Sequence, residues 1–213
     1  MRKKFVFDKE YRNRSICCLL SVILMGFSLS WLIIVNFGTD PCSVMNLGIS
    51  NALGLSLGNW QLLYNIVLLV VILKFGRNLI GLGTVFNMVL VGYSCDFFRH
   101  LWERLHLTGL ADPMVSRILI LIVMLGIFVL AASVYMAVDI GVAPYDAIPM
   151  IVHKKLTGIR FRVIRICWDM ISVVIGAILG STVGAVTIMI AFVLGPVIEF
   201  IKPFINQLFV KVK

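Results

Sequence analysis

Charged residues are scarce in this sequence. Asp, Glu, Lys and Arg make up only 14% of its 213 residues, whereas hydrophobic residues make up 61%. No water-soluble domain of this length needs so much apolar surface, and the mean hydropathy of +1.04 indicates the lipid bilayer as the solvent. This composition predicts a single membrane domain, without a segment that forms a separate soluble domain.

Motifs for catalysis and metal binding are also lacking. The three histidines form no motif, and the five cysteines show no metal-ligand spacing. There is no H-E-x-x-H pattern, no phosphate-binding loop and no suggestive Ser-His-Asp spacing. We therefore expect no metal, no cofactor and no enzymatic activity, and an intramembrane enzyme that acts on lipid is the least favoured class of function.

Long uncharged runs separate the few charges. Six of them approach the ~20 residues that a transmembrane helix needs, although the second is short and must borrow flanking residues. A basic leader precedes the first run, which we interpret as an uncleaved span. The six predicted spans are 16–37, 60–73, 79–98, 118–138, 163–180 and 182–201.

The basic residues lie on one side of the predicted membrane topology. With the N-terminus inside, sixteen Lys and Arg residues fall on the inner side and three on the outer side. This bias is typical of the positive-inside rule, so we expect both termini in the cytoplasm. The net charge of +9 is then a topology signal with membrane lipids as partners, and no nucleic-acid partner is expected.

The two halves of the chain repeat at a spacing of 103 residues. The identities concentrate at Gly, Pro and Thr, which carry backbone constraints. At a spacing of 104, Gln61 and Asn65 meet Arg165 and Asp169. The main pairs at 103 are Gly38–Gly141, Pro41–Pro144, Gly81–Gly184, Thr84–Thr187, Gly92–Gly195 and Phe97–Phe200, with Asp96 opposite Glu199.

Three spans in each copy give the second copy the opposite orientation. The predicted fold is therefore an all-α polytopic membrane protein with two inverted three-helix repeats, a pattern of many secondary transporters. A Gly-x-x-Pro break in each repeat predicts a short helix, either re-entrant or interfacial. The predicted segments are a cytoplasmic leader (1–15), repeat 1 (16–100), an extracytoplasmic linker (101–116), repeat 2 (117–203) and a cytoplasmic tail (204–213).

These motifs resemble a known family. "GVAPYDAI", "RVIRICWD" and the final glycine-rich span are similar to blocks of the YczE/YyaS/YitT group of bacterial integral membrane proteins. The first half departs from the pattern, because Ser43 stands where an aspartate is expected two residues after the proline. The resemblance implies a multi-pass protein of the bacterial inner membrane. It names no substrate, because the group has no firmly established activity.

Ionisable residues inside spans are costly and therefore indicate function. Arg165 and Asp169 are four residues apart on one helix face, and their repeat partners Gln61 and Asn65 have the same spacing. We predict that these four groups line a central binding site, where Arg165 serves an anionic group or acts as counter-ion and Asp169 carries a proton or binds a cation. The alternative is an ion pair within one helix.

Three further residues belong to the candidate site. Asp146 is either an N-cap, like Asp40 before Pro41, or a contact for substrate or for Arg165. Thr84 and Thr187 either bond their own or a neighbouring helix or approach the cavity.

The sequence favours a secondary transporter or permease for a small molecule or an ion, with a site between inverted repeats and a homodimer as an open alternative. The competing hypothesis is a non-transporting membrane protein that recruits or regulates a partner at the cytoplasmic face. Its support is the basic leader and the basic segment 153–165, both of which the positive-inside rule also predicts.

Overall fold

The computed structural model describes residues 9–156 and 158–210, and every regular element within these ranges is helical. The predicted all-helical class is therefore confirmed. Two short 3₁₀ turns, Arg77–Leu79 and Thr108–Ala111, precede α4 and α5. The helices are α1 (Lys9–Val35), α2 (Pro41–Leu53), α3 (Leu57–Phe75), α4 (Leu82–Arg104), α5 (Met114–Val138), α6 (Pro144–Lys155), α7 (Phe161–Ile178) and α8 (Ala185–Val210).

The two Gly-x-x-Pro breaks begin the short helices α2 and α6, as predicted. Pro41 and Pro144 occupy the first turn of each helix, where the missing N–H of proline costs no hydrogen bond. Gly38 and Gly141 have positive φ angles of 94° and 130°, a backbone conformation that residues other than glycine adopt at a cost. These glycines therefore let the chain turn sharply between a long helix and the short helix that follows.

Helices occupy all six predicted spans, but their membrane character differs. Helices α1, α3 and α5 are long and apolar enough to cross a membrane, and α8 qualifies as a fourth if its two bent parts count as one span. The bend of 45° falls between Phe192 and Leu194, and Pro196 explains it because its ring clashes with the carbonyl of residue 192. The chain is thus a helical membrane protein with at least three candidate spans.

Several element ends differ from the predicted segments. Helix α1 begins at Lys9 and therefore extends into the predicted leader, whose residues 1–8 lie outside the described part of the chain. Helix α4 continues to Arg104, inside the predicted linker. Helix α8 continues to Val210 through the predicted tail, and residues 211–213 again lie outside the description. Apolar runs locate a span but do not mark where its helix ends in water.

The first helices of the two halves, α1 and α5, pack against each other in opposite directions. Arg14, near the start of α1, donates to the carbonyl oxygen of Val138 at the end of α5 (2.8 Å). Arg117, near the start of α5, donates to the carbonyl oxygen of Val35 at the end of α1 (2.6 Å). Each arginine thereby satisfies a carbonyl that the end of a helix leaves without an intrahelical partner.

The remaining helix contacts form both between the halves and within them. Helix α2 packs on α7 and α3 packs on α6, whereas α4 packs on α1 and α8 on α5. At the starts of α4 and α8, Gly83 N donates to Ile140 O (3.0 Å) and Val186 N donates to Phe37 O (3.4 Å). A Cβ on Gly81 or on Gly184 would collide with these same carbonyl oxygens, so each crossing requires glycine.

Candidate functional site

A cavity of about 240 Å³ lies where the two short helices begin. All eight helices or their N-caps contribute to its wall. Asp40, Pro41 and Ser43 come from the start of α2, and Ala143 and Asp146 come from the start of α6. The partly positive N-termini of both short helices therefore meet at one cavity.

A network of ion pairs connects α6 and α7 at this cavity. Arg165 donates through Nη1 to Asp146 Oδ1 (2.5 Å) and through Nε to Asp169 Oδ2 (3.0 Å). Tyr145 donates its hydroxyl to Asp169 Oδ1 (2.8 Å) and also lies 3.0 Å from Ser172 Oγ. Asp169 is buried, with 7% of the residue exposed, so these bonds replace the water that its carboxylate would otherwise need.

Asp40 is the third carboxylate of the wall. Its Oδ2 accepts from the backbone N–H of Ser43 (3.1 Å), which makes Asp40 the N-cap of α2 as predicted. Its Oδ1 is buried and has no hydrogen-bond partner in the part of the chain that the structure describes. A buried carboxylate oxygen without a donor is unfavourable by roughly 1–3 kcal/mol or more, so this atom of the cavity wall has a hydrogen-bonding capacity that no described residue fills.

The rest of the wall is mainly apolar. Phe128 and Tyr135 of α5, Phe161 of α7 and three methionines contribute to it. Methionine and aromatic side chains adapt to ligands of different shape. The cavity thus combines a few fixed charges with an apolar body, which is the usual composition of a small-molecule site. The methionines are Met25, Met136 and Met150.

The structure brings four of the seven predicted site residues to the cavity. Gln61, Asp146, Arg165 and Asp169 line it. The amide of Asn65 points instead towards the backbone of α4, where it donates to Met88 O (3.4 Å).

Thr84 and Thr187 also lie outside the cavity wall. Each threonine accepts from the backbone N–H of the glycine three residues earlier, at 3.1 Å from Gly81 and 3.4 Å from Gly184. They therefore cap α4 and α8, which corresponds to the alternative in which they bond their own helix.

The N-cap interpretation of Asp146 is wrong. Ala143 is the N-cap of α6 and Asp146 lies inside the first turn, where its side chain pairs with Arg165. Contact with Arg165 was the alternative prediction for Asp146. Asp40 and Asn87 also line the cavity but were not predicted to do so. The N-cap role of Asp40 needs no cavity, and Asn87 follows no spacing that the two halves share.

The two halves differ at one contact beside the cavity. A Cβ on Gly92 of α4 would lie 2.7 Å from the Cα of Gly58, so α3 and α4 are tightly packed there. Its counterpart Gly195 on α8 has nothing within 4 Å and lines the cavity. At the spacing of 104, Arg162 stands where the first half has Gly58. The packing beside the cavity is therefore tight between α3 and α4 and looser around Gly195 of α8.

Comparison with known proteins agrees with this membrane fold. Residues 12–203 match a family of unknown function, DUF6198. The chain belongs to that family. The DUF6198 match covers all eight helices except the ends of α1 and α8, and therefore includes every residue that lines the cavity.

The chain is also similar to two curated proteins. The chain is 25% identical to the uncharacterized membrane protein YczE of Bacillus subtilis (strain 168) over 166 residues, which cover 78% of the chain and 74% of YczE. It is 21% identical over 205 residues to an uncharacterized protein of Haemophilus influenzae, which covers 95% of the chain and 89% of that protein. No solved structure matches the chain. The resemblance to YczE-like membrane proteins is thus confirmed.

Proposed function

We propose that this protein is a secondary transporter or permease for a small molecule, and that the cavity at the start of α2 and α6 is its substrate site. One observation carries the proposal. A cavity of about 240 Å³ inside a membrane protein is lined by three carboxylates and one guanidinium. Charged groups inside a membrane domain are costly, and in known membrane proteins they mark substrate and ion pathways.

The repeated contacts between the halves support an inverted-repeat architecture with six spans. Arg14 and Arg117 bind the opposite ends of the antiparallel helices α1 and α5. The backbone hydrogen bonds from Gly83 to Ile140 and from Val186 to Phe37 follow the same spacing. Their two donors are 103 residues apart, and so are their two acceptors. Transporters with inverted repeats bind substrate between the repeats, at discontinuous helices. Helices α2 and α6 correspond to such discontinuous segments.

The unequal packing of the two halves supports alternating access. Helices α3 and α4 are tightly packed at Gly58 and Gly92, whereas nothing lies within 4 Å of the Cβ position of Gly195 on α8. In a protein with inverted repeats, exchanging the two packings between the halves opens the cavity to the other side of the membrane. We infer that the structure represents one of two such states.

The charge distribution supports the orientation in the bacterial inner membrane. Both termini are cytoplasmic in this proposal, because sixteen of nineteen Lys and Arg residues then lie on the cytoplasmic side. The start of α7, which contributes Phe161 to the cavity wall, then faces the cytoplasm. The proposal needs no metal and no cofactor, and it holds for a monomer and for a homodimer.

Labelling of the native Cys42 tests this function. Cys42 lines the cavity, whereas Cys18 and Cys95 are fully buried. In a variant with Cys17→Ala and Cys167→Ala, a membrane-impermeant methanethiosulfonate reagent is added to right-side-out and to inverted vesicles. The same variant with Cys42→Ala gives the background.

Alternating access predicts that Cys42 is labelled from both sides, because each state exposes the cavity to one side. Labelling from one side only, or from neither, contradicts the proposal. That result would favour a membrane protein that recruits a partner without transporting a substrate.

A further inference from the structure

The cavity wall carries more carboxylates than positively charged groups. Three carboxylates, those of Asp40, Asp146 and Asp169, share the wall with the single guanidinium of Arg165. When all four are ionised, two negative charges are left over. The N-termini of α2 and α6 offset about half a charge each. With all four groups ionised, the cavity therefore retains roughly one negative charge.

From this surplus we propose that the site binds a small organic monocation, with an ammonium or guanidinium group directed at Asp40. The inference rests on the proposed transport site and adds the chemical class of its substrate. The free Oδ1 of Asp40 is the atom that lacks a donor. An ammonium group supplies hydrogen-bond donors and one positive charge together.

Two carboxylates already bind Arg165. Its Nη1 and Nε already bind Asp146 and Asp169, and its guanidinium lies 5.4 Å from the ring centre of Tyr145. An anionic substrate would have to compete with two carboxylates for the same cation and would also face Asp40. The same arrangement that holds Arg165 in place thus disfavours anions.

The apolar wall favours an organic cation over a metal ion. The aromatic side chains of Phe128, Tyr135 and Phe161 line the cavity, and they bury the apolar body of a ligand while the ring faces attract its charge. Among the described residues, no group of three or more His, Cys, Asp or Glu side chains could hold a metal ion. The cavity volume of about 240 Å³ also exceeds what a bare ion fills.

Ligand binding to the detergent-purified full chain tests this inference. The probes are matched triads that differ only in the end group: a primary ammonium, an alcohol or a carboxylate on butyl, cyclohexyl and phenylethyl frames. Thermal unfolding midpoints are measured across probe concentrations, because a ligand selective for the folded state raises the midpoint. Sodium chloride alone is a separate arm, and total ionic strength is held constant throughout.

We expect at least one ammonium probe to raise the midpoint while its alcohol and carboxylate partners do not. Asp40→Asn is expected to weaken that binding at least tenfold, and Asp112→Asn, at an exposed position, to leave it unchanged. An ammonium response that survives Asp40→Asn would remove Asp40 from the site. A response to carboxylates, an equal response to alcohols, a response to sodium only, or no response would overturn the inference.

The two proposals fail separately. If Cys42 is labelled from both sides while no ammonium probe binds, the transport proposal stands and the substrate class is wrong. If an ammonium probe binds through Asp40 while Cys42 is labelled from one side only, the cavity is a binding site for organic cations without transport.

Discussion

Arg14 and Arg117 are 103 residues apart, and the carbonyl oxygens that they bind, those of Val138 and Val35, are separated by the same 103 residues. Each arginine lies near the start of one long helix and contacts the end of the other. This reciprocal arrangement fixes α1 and α5 as an antiparallel pair. In the proposed architecture it is the axis about which the two halves are related.

Replacing either arginine should destabilise the protein. Arg14→Gln and Arg117→Gln each remove a charged donor from a carbonyl at a helix end, which costs about 1.5–3 kcal/mol for a hydrogen bond to a charged group. We expect both variants to unfold at a lower temperature than the parent in detergent. Arg162→Gln, at an exposed position, is the control. Unchanged midpoints for both variants would mean that these bonds do not hold the halves together.

Gly81 and Gly184, where the starts of α4 and α8 contact the backbone of the other half, should not accept a larger residue. A Cβ at either position collides with a backbone oxygen, of Ile140 or of Phe37, which cannot rotate away as a side chain can. We expect Gly81→Ala and Gly184→Ala to lower the folded yield and the unfolding midpoint. Gly126→Ala is the matched control, because nothing lies within 4 Å of that position in α5 and alanine favours a helix by up to about 1 kcal/mol. Equal behaviour of all three variants would contradict the close crossing.

The ion pair between Arg165 and Asp146 should be revealed by a double-mutant cycle. Their side chains are 28% and 19% exposed, so the pair is partly shielded from solvent. We expect Asp146→Asn and Arg165→Gln each to lower the unfolding midpoint, with the double variant less destabilised than the sum of the two. Arg165→Gln should have the larger effect, because it leaves two carboxylates without their cation. Strict additivity in the cycle would show that the two residues do not interact in solution.

The sequence predicted the order of the helices better than it predicted the contacts of the polar side chains. The spacing of 103 located both proline breaks and both helix-starting glycines, because Gly and Pro report backbone geometry directly. The same spacing also relates Arg14 to Arg117, a pair that was not predicted because Arg14 lies in the predicted leader (1–15). Two isolated arginines in charged segments look like topology signals until their carbonyl partners are known.

The cavity could be anticipated only in part. Arg165 and Asp169 share a helix face at a spacing of four, so their pairing followed from the sequence. Asp146 and Tyr145 join them because α6 packs beside α7, and that is a tertiary relationship. Asn65 follows the same spacing as Asp169 but turns to the backbone of Met88. Residues at equivalent positions of the two halves can therefore have different side-chain partners.

Alternating exposure of the cavity is the central claim, and distances between matched helix pairs test it most directly. Spin labels are placed in a cysteine-free chain at Asn59 and Phe97, on α3 and α4, and separately at Val163 and Phe200, on α7 and α8. These four positions are exposed and correspond between the halves. Distances are measured by double electron–electron resonance in proteoliposomes from pH 5 to pH 8.

Two interconverting states predict two distances for each pair, with populations that shift in opposite directions: when the α3–α4 pair lengthens, the α7–α8 pair shortens. A single unchanging distance for each pair under every condition would contradict the account, because the cavity would then open permanently to one side.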